Sequence, residues 1–174
     1  MIREILVTHN NGIVLVARNY NRNDRIARDL VGGFISALGL FGQETFHDNL
    51  KEIKFTNSKI IFKRTAYFCV TAIVDHEDDT EEIGDLLVEI SRRFELQYGS
   101  DPAFGKRFKK DAYTAFYETV DSLTRPFIEF ASQVNKLIST MTTSDSSHSV
   151  ADLMSAYKSK QNQLMEIRKK KGIK

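Results

Sequence analysis

The sequence predicts a mixed α/β chain in which one sheet is covered by helices on both faces. Three observations predict it. The first is a hairpin: the apolar runs Ile5-Leu6-Val7 and Ile13-Val14-Leu15-Val16-Ala17 flank His9-Asn10-Asn11-Gly12. Asn-Gly between β-branched runs is the strongest short hairpin cue, because both residues tolerate positive φ. The second is that the later run does not alternate with polar residues. Such a strand must be covered on both sides, so the hairpin reads as the middle of a sheet. The third is the order of the remaining elements, which supplies helices before and after three further strands.

Composition sets the bounds. A chain of 174 residues suits one domain with an appendage. At 41% hydrophobic it can bury a core. A net charge of +2 gives no global attraction to nucleic acid or membrane, so basic character is local. The single Cys69 excludes an intramolecular disulfide, and its apolar run predicts a buried, inert thiol. No apolar run approaches the ~20 residues that span a bilayer. The first apolar run is too short for a signal peptide and carries Arg3 and Glu4. A soluble, cytoplasmic protein is the expectation.

After the hairpin, Asp24 caps a helix, with Asn23 as the alternative. Ala27, Leu30, Val31, Phe34, Leu38 and Phe41 recur at helical spacing and form its expected buried face. Gly32-Gly33 costs roughly 1 kcal/mol per glycine. It reads as close packing on the sheet rather than a ligand loop. Gly39 and Gly42 mark the fraying end. Strands follow at 50–55 and 59–63, joined by Thr56-Asn57-Ser58. Their alternation suits one wetter face or a sheet edge. Residues 67–74 are apolar on both sides, so that strand is central, with Val14, Val16, Val70 and Ile73 all buried.

Residues 75–82 are acidic. An EF-hand fails there, because position six is Thr80 rather than Gly and position twelve is Leu86 rather than Glu. The acids instead suit the N-terminus of a helix over 80–97, with Ile83, Leu86, Leu87, Ile90 and Phe94 buried. Gly99 and Pro102 end it. A helix over 108–124 buries Tyr113, Phe116, Tyr117, Val120 and Leu123; Pro126 breaks or kinks it. An additional helix over 126–141 follows, then a Ser/Thr-rich linker from 140 to 149. Residues 150–174 form a basic amphipathic tail. Leu153, Met154, Tyr157, Leu164 and Ile167 make its apolar stripe, and Arg168, Lys169, Lys170 and Lys171 its basic cluster.

Motifs for chemistry are lacking. Gly99 to Gly105-Lys106 has the wrong spacing for a P-loop. The four histidines show no zinc-ligand spacing. There is no G-x-S-x-G elbow and no G-x-G-x-x-G turn. No cofactor, metal or catalytic residue is expected, and the chain is expected not to be an enzyme.

The order strand-strand-helix-strand-strand-strand-helix-helix resembles the longin domain of the longin/roadblock superfamily. The resemblance covers residues 1–125. It rests on that order, the early hairpin and the run FISALGLFGQETF at 34–46, leading into Leu50-Lys51-Glu52-Ile53. It implies an α+β, three-layer α-β-α sandwich around a five-stranded antiparallel sheet. It also implies a non-enzymatic interaction module, an adaptor or small-GTPase-regulatory subunit in membrane trafficking. Profilin-like and PAS-like domains share much of the architecture, so a small-molecule sensor is the alternative. The chain departs from the SNARE branch, because its tail is too short for a SNARE helix.

Partner binding is expected at the first helix and third strand, through Phe41, Ile53, Lys54 and Phe55. The plain alternative is that the apolar three are core. The expected partner is a protein: a small GTPase, a second longin/roadblock domain, or a second copy in a homodimer. Arg168, Lys169, Lys170 and Lys171 are the candidates for peripheral contact with anionic lipid; the alternatives are a solvated charge run or docking on a partner groove. No nucleic acid is expected.

Overall fold

The computed structural model describes residues 1–21, 27–99 and 112–143, with side chains as far as residue 136. The chain divides into two units, Met1–Arg125 and Pro126–Lys174. The tail with Arg168, Lys169, Lys170 and Lys171 lies outside the described residues.

The elements are β1 (Ile2–His9), β2 (Val14–Asn19), α1 (Arg28–Phe46), β3 (Glu52–Lys54), β4 (Ser58–Arg64), β5 (Phe68–Asp75), α2 (Thr80–Tyr98) and α3 (Phe116–Thr143). The strands form one antiparallel sheet in the order β2-β1-β5-β4-β3. This is the expected five-stranded α+β arrangement, with β5 at its centre. Its seven consecutive buried residues, Phe68 to Val74, follow from cover on both faces.

Strand alternation sorts the core into two layers. On one side, Leu6, Ile60, Cys69 and Ile73 pack with Ile35 of α1. On the other, Phe68 meets Phe94 of α2 edge-on at 5.0 Å, and Phe94 meets Phe116 of α3 at 5.0 Å. The geometry is that of favourable aromatic pairs.

Several expectations change. β2 is an edge strand, because β5 takes the other side of β1. Val14 is therefore only partly buried, while Val16, Val70 and Ile73 are buried. In the hairpin turn only Gly12 has positive φ, at 92°. α1 begins at Arg28 with Ala27 at the cap position and no side-chain cap. Asn23 and Asp24 lie outside the described residues. β3 is shorter than expected, so Leu50 and Phe55 flank it. β5 begins at Phe68, leaving Tyr67 exposed. The turn before it needs no Gly, because Thr65 Oγ1 accepts from the Phe68 N–H at 3.1 Å.

α2 matches its expected span. Asp79 caps it, accepting from the N–H groups of Glu81 and Glu82 at 2.8 and 3.0 Å. α3 runs to Thr143 with Pro126 inside it, so the two helices expected around that proline are one. The penalty of about 3 kcal/mol for an internal proline does not end the helix. Residues 140–143, assigned to the linker, are helical.

Candidate interaction surface

α1 carries two opposite apolar faces. Gly32, Ile35, Gly39 and Gly42 recur at i, i+3, i+7 and i+10 and are buried. Leu30, Phe34 and Phe41 recur at i, i+4 and i+11 and are 75%, 44% and 56% exposed. The expected stripe therefore exists, but it mostly faces outward. The helix instead turns its smallest residues to the sheet.

That close approach has specific partners. A Cβ on Gly32 would run into the Gly12 carbonyl oxygen and meet Val14 Cγ2 at 3.0 Å. Ser36 Oγ donates to the Asn10 carbonyl at 2.6 Å. Arg64 Nη2 donates to the Ile35 carbonyl at 3.1 Å and Nη1 to Asn10 Oδ1 at 3.2 Å. A Cβ on Gly39 would collide with that guanidinium. Gly39 and Gly42 are thus packing sites, not a frayed end. Gly33 alone of the first pair faces open space.

β3 lies at the far edge of the sheet. Ile53 is half-buried, and Lys54 and Phe55 are exposed. Lys54 Nζ pairs with Glu52 Oε1 at 2.9 Å. Thr80 Oγ1 donates to Glu52 Oε2 at 2.8 Å, and the buried Lys59 ammonium reaches Thr80 Oγ1 and the Asp78 carbonyl. The Lys54 ammonium, then Thr80, hold the Glu52 carboxyl below its ordinary pKa.

Of the four residues singled out from sequence, Phe41, Lys54 and Phe55 are exposed and Ile53 is half-buried. Phe41 sits on the outer face of α1 and meets Phe46 edge-on at 5.7 Å; Ile53 and Lys54 lie on the edge strand, with Phe55 just after it. Leu40 and Phe46 were missed; both are exposed. The buried Gly/Ile repeat in the same helix was the available signal that the large residues point away from the sheet.

Other polar groups are structural. Arg18 pairs with Asp121 through Nε at 2.9 Å and Nη2 at 2.5 Å, above the Tyr117 ring. Tyr20 donates to Asp121 at 2.9 Å and accepts from Thr124 at 2.8 Å. Burial, more than these bonds, pushes the Tyr20 hydroxyl pKa up. Burial likewise raises the Cys69 thiol, the opposite of activation. Among the described residues no group of His, Cys, Asp or Glu could hold a metal ion, and no helix is long and apolar enough to cross a membrane.

No protein-family model and no curated protein matches the sequence. The structure is similar to a Roadblock/LC7 domain from Streptomyces avermitilis at 12% identity and TM-score 0.45, over 55% of this chain and 86% of that one. It is similar to the gliding protein MglB from Thermus thermophilus at 9% and 0.43, over 51% and 70%. It is also similar to a chain in a homology model of the full-length AP-3 complex at 15% and 0.48, over 82% and 98%. The element order and the five-stranded antiparallel sheet are those that the longin resemblance implies.

Proposed function

We propose that this chain is a non-enzymatic interaction module of the longin type, serving as an adaptor or small-GTPase-regulatory subunit in membrane trafficking. The observation that carries the reading is the outer face of α1. Leu30, Phe34 and Phe41 lie in one exposed row on a helix whose other face is already packed. An exposed apolar row on a helix whose other face is packed supports a protein contact there. The β3 edge adds unpaired backbone groups beside it in sequence. The basic cluster Arg168, Lys169, Lys170 and Lys171 is proposed as a contact for anionic headgroups, each charge contributing roughly 1 kcal/mol near such a surface.

The test uses the full chain and a Phe34→Ser/Phe41→Ser variant as baits in cell extract, with bound small GTPases identified by mass spectrometry. The wild type retains a GTPase or trafficking protein that the variant loses, at unchanged melting temperature. Equal recovery on both baits overturns the docking face; recovery of no such protein overturns the trafficking role. For the lipid contact, the full chain sediments with anionic vesicles at low salt, and substituting the four basic residues by Gln abolishes that. Sedimentation of both, or of neither, contradicts it.

A further inference from the structure

α3 outlasts the first unit: its residues 126–143 belong to the unit Pro126–Lys174. From Leu123 onward, Phe127, Phe130, Val134, Leu137 and Met141 recur at alternating spacings of four and three. A strict repeat of this kind makes a narrow seam, the pattern of a helix that packs along one other helix. Phe127, Phe130 and Val134 are half-buried, whereas Glu129, Ser132, Gln133 and Lys136 are exposed. The seam side of the helix is therefore its covered side.

The tail carries the mirror image of this seam. Leu153, Tyr157, Lys160, Leu164 and Ile167 are spaced four, three, four and three. Met141, Leu137, Val134, Phe130 and Phe127, taken backwards along α3, have the same spacing. Folding the chain back about Ser147 sets the two rows opposite each other. Met141 then meets Leu153, Leu137 meets Tyr157, Val134 meets Lys160, Phe130 meets Leu164 and Phe127 meets Ile167. Only the Val134 layer holds a charged residue. Lys160 can lay its methylenes along Val134 and keep its ammonium in water. A single polar residue in such a seam fixes register.

The connector fits the same geometry. Residues 144–149, Ser-Asp-Ser-Ser-His-Ser, have the length and composition of a turn between two helices. Segments 126–143 and 150–167 match in length, about 27 Å each as helices.

We propose that residues 150–167, which lie outside the described residues, fold back as a helix on the seam of α3, antiparallel and within one chain. So short a connector holds the tail at a roughly millimolar effective concentration, which favours it over a second copy. Pro126–Lys174 is accordingly a compact unit by itself. The basic cluster begins at Arg168, directly after the last layer, and stays outside the seam. The apolar stripe of the tail is covered by α3 rather than by lipid, so a lipid contact is left to the charges alone.

Paired cysteines in the full chain test this, oxidised with glutathione disulfide at low protein concentration. Phe130→Cys/Leu164→Cys and Leu137→Cys/Tyr157→Cys are facing pairs, and each loses its two introduced thiols to a disulfide within one chain. Leu137→Cys/Leu164→Cys is one heptad out of register and keeps them, because Cα atoms more than ~7 Å apart cannot be bridged. Cys69 is buried in the sheet and stays reduced throughout. Peptide mapping assigns the bonds, and circular dichroism of the reduced proteins checks their helix content. The unmodified chain gives a second reading: an amine-reactive crosslinker joins Lys136 to Lys158, which fall at the same level of the hairpin.

No disulfide in either facing pair, or equal oxidation of the out-of-register pair, overturns the proposal. Disulfides between two chains overturn it as well, by putting a second copy in the seam. Absence of the Lys136–Lys158 link in the unmodified chain overturns it even where the cysteine variants misfold. None of these results bears on the outer face of α1, which the capture experiment reads separately.

Discussion

The guanidinium of Arg64 fills the space that a side chain at Gly39 would need, bonding the Ile35 carbonyl one turn earlier at 3.1 Å. Strand β4 is in this way hooked into helix α1 at a position where only glycine leaves room. The same logic holds at Gly32, where the obstacle is backbone rather than a long side chain. These contacts fix which face of α1 is spent on the fold and which is left exposed.

The glycines should therefore respond differently to alanine. Gly33→Ala meets nothing within 4 Å, so it gains helix propensity of about 1 kcal/mol. Gly39→Ala gains the same but displaces Arg64 from two hydrogen bonds, for a net loss of about 1–2 kcal/mol. Gly32→Ala is the most damaging, because the Gly12 carbonyl cannot step aside without moving the hairpin. Thermal melts of the three variants give the order directly.

The polar clamp between β2 and α3 should act as a unit. Tyr20→Phe removes bonds to Asp121 and Thr124 and costs about 1–2 kcal/mol. Asp121→Ala costs more, since it strips both Arg18 and Tyr20 of an acceptor. The double variant costs less than the sum, by about 0.5–1 kcal/mol. Urea titrations of the four proteins close the cycle, and strict additivity contradicts it.

Acid stability should depend on Glu89. Arg92 first, then Arg93, hold its carboxyl down to about 2, well below the ordinary carboxylate range. A depressed folded-state pKa contributes stability that is present above the unfolded value and lost as pH falls through the folded one. The contribution is intact at pH 6 and disappears between about pH 4.5 and pH 2. Glu89→Gln melts below the wild type at pH 6, and the gap narrows as pH falls toward 2. Both arginines are partly solvated, so the effect is small and salt-sensitive.

The centre of the sheet should be intolerant of charge. Val70 has no exposed surface and sits on β5 between two neighbouring strands. Val70→Asp buries an unpaired carboxylate at a cost of several kcal/mol and unfolds Met1–Arg125. A folded variant with unchanged melting would contradict the two-sided cover.

The architecture was legible where physics is local. The Asn-Gly turn, the unbroken apolar run of β5 and the acidic start of α2 each specify their element without tertiary information. β2 was misplaced because two-sided burial does not distinguish a central strand from an edge strand with helices over both faces. The orientation of α1 was misread for a different reason. Leu30, Phe34 and Phe41 dominate any count of apolar periodicity, whereas Gly32, Gly39 and Gly42 contribute almost nothing to it. The repeat of Gly32, Ile35, Gly39 and Gly42 is the weaker signal in the sequence, and the tertiary contacts of Gly12 and Arg64 show that this small face is the buried one. Of the two readings of Pro126, a break or a kink, the break fails, since a proline removes a single donor and a long helix can continue past it. At the candidate surface, Phe41, Ile53, Lys54 and Phe55 were visible as alternating or periodic positions. The exposure of Phe41, Lys54 and Phe55 and the partial burial of Ile53 were not, because exposure is a property of the packed fold.

The most direct measurement places a photo-crosslinking phenylalanine analogue in the full chain in cells, at Phe41 in one protein and at Leu96 in another. Leu96 is 69% exposed on α2, away from the docking row, and serves as the equally accessible control. The prediction is a discrete protein adduct from position 41 and none from position 96. No adduct at 41, or the same adducts from both positions, would contradict a partner face on the outer side of α1.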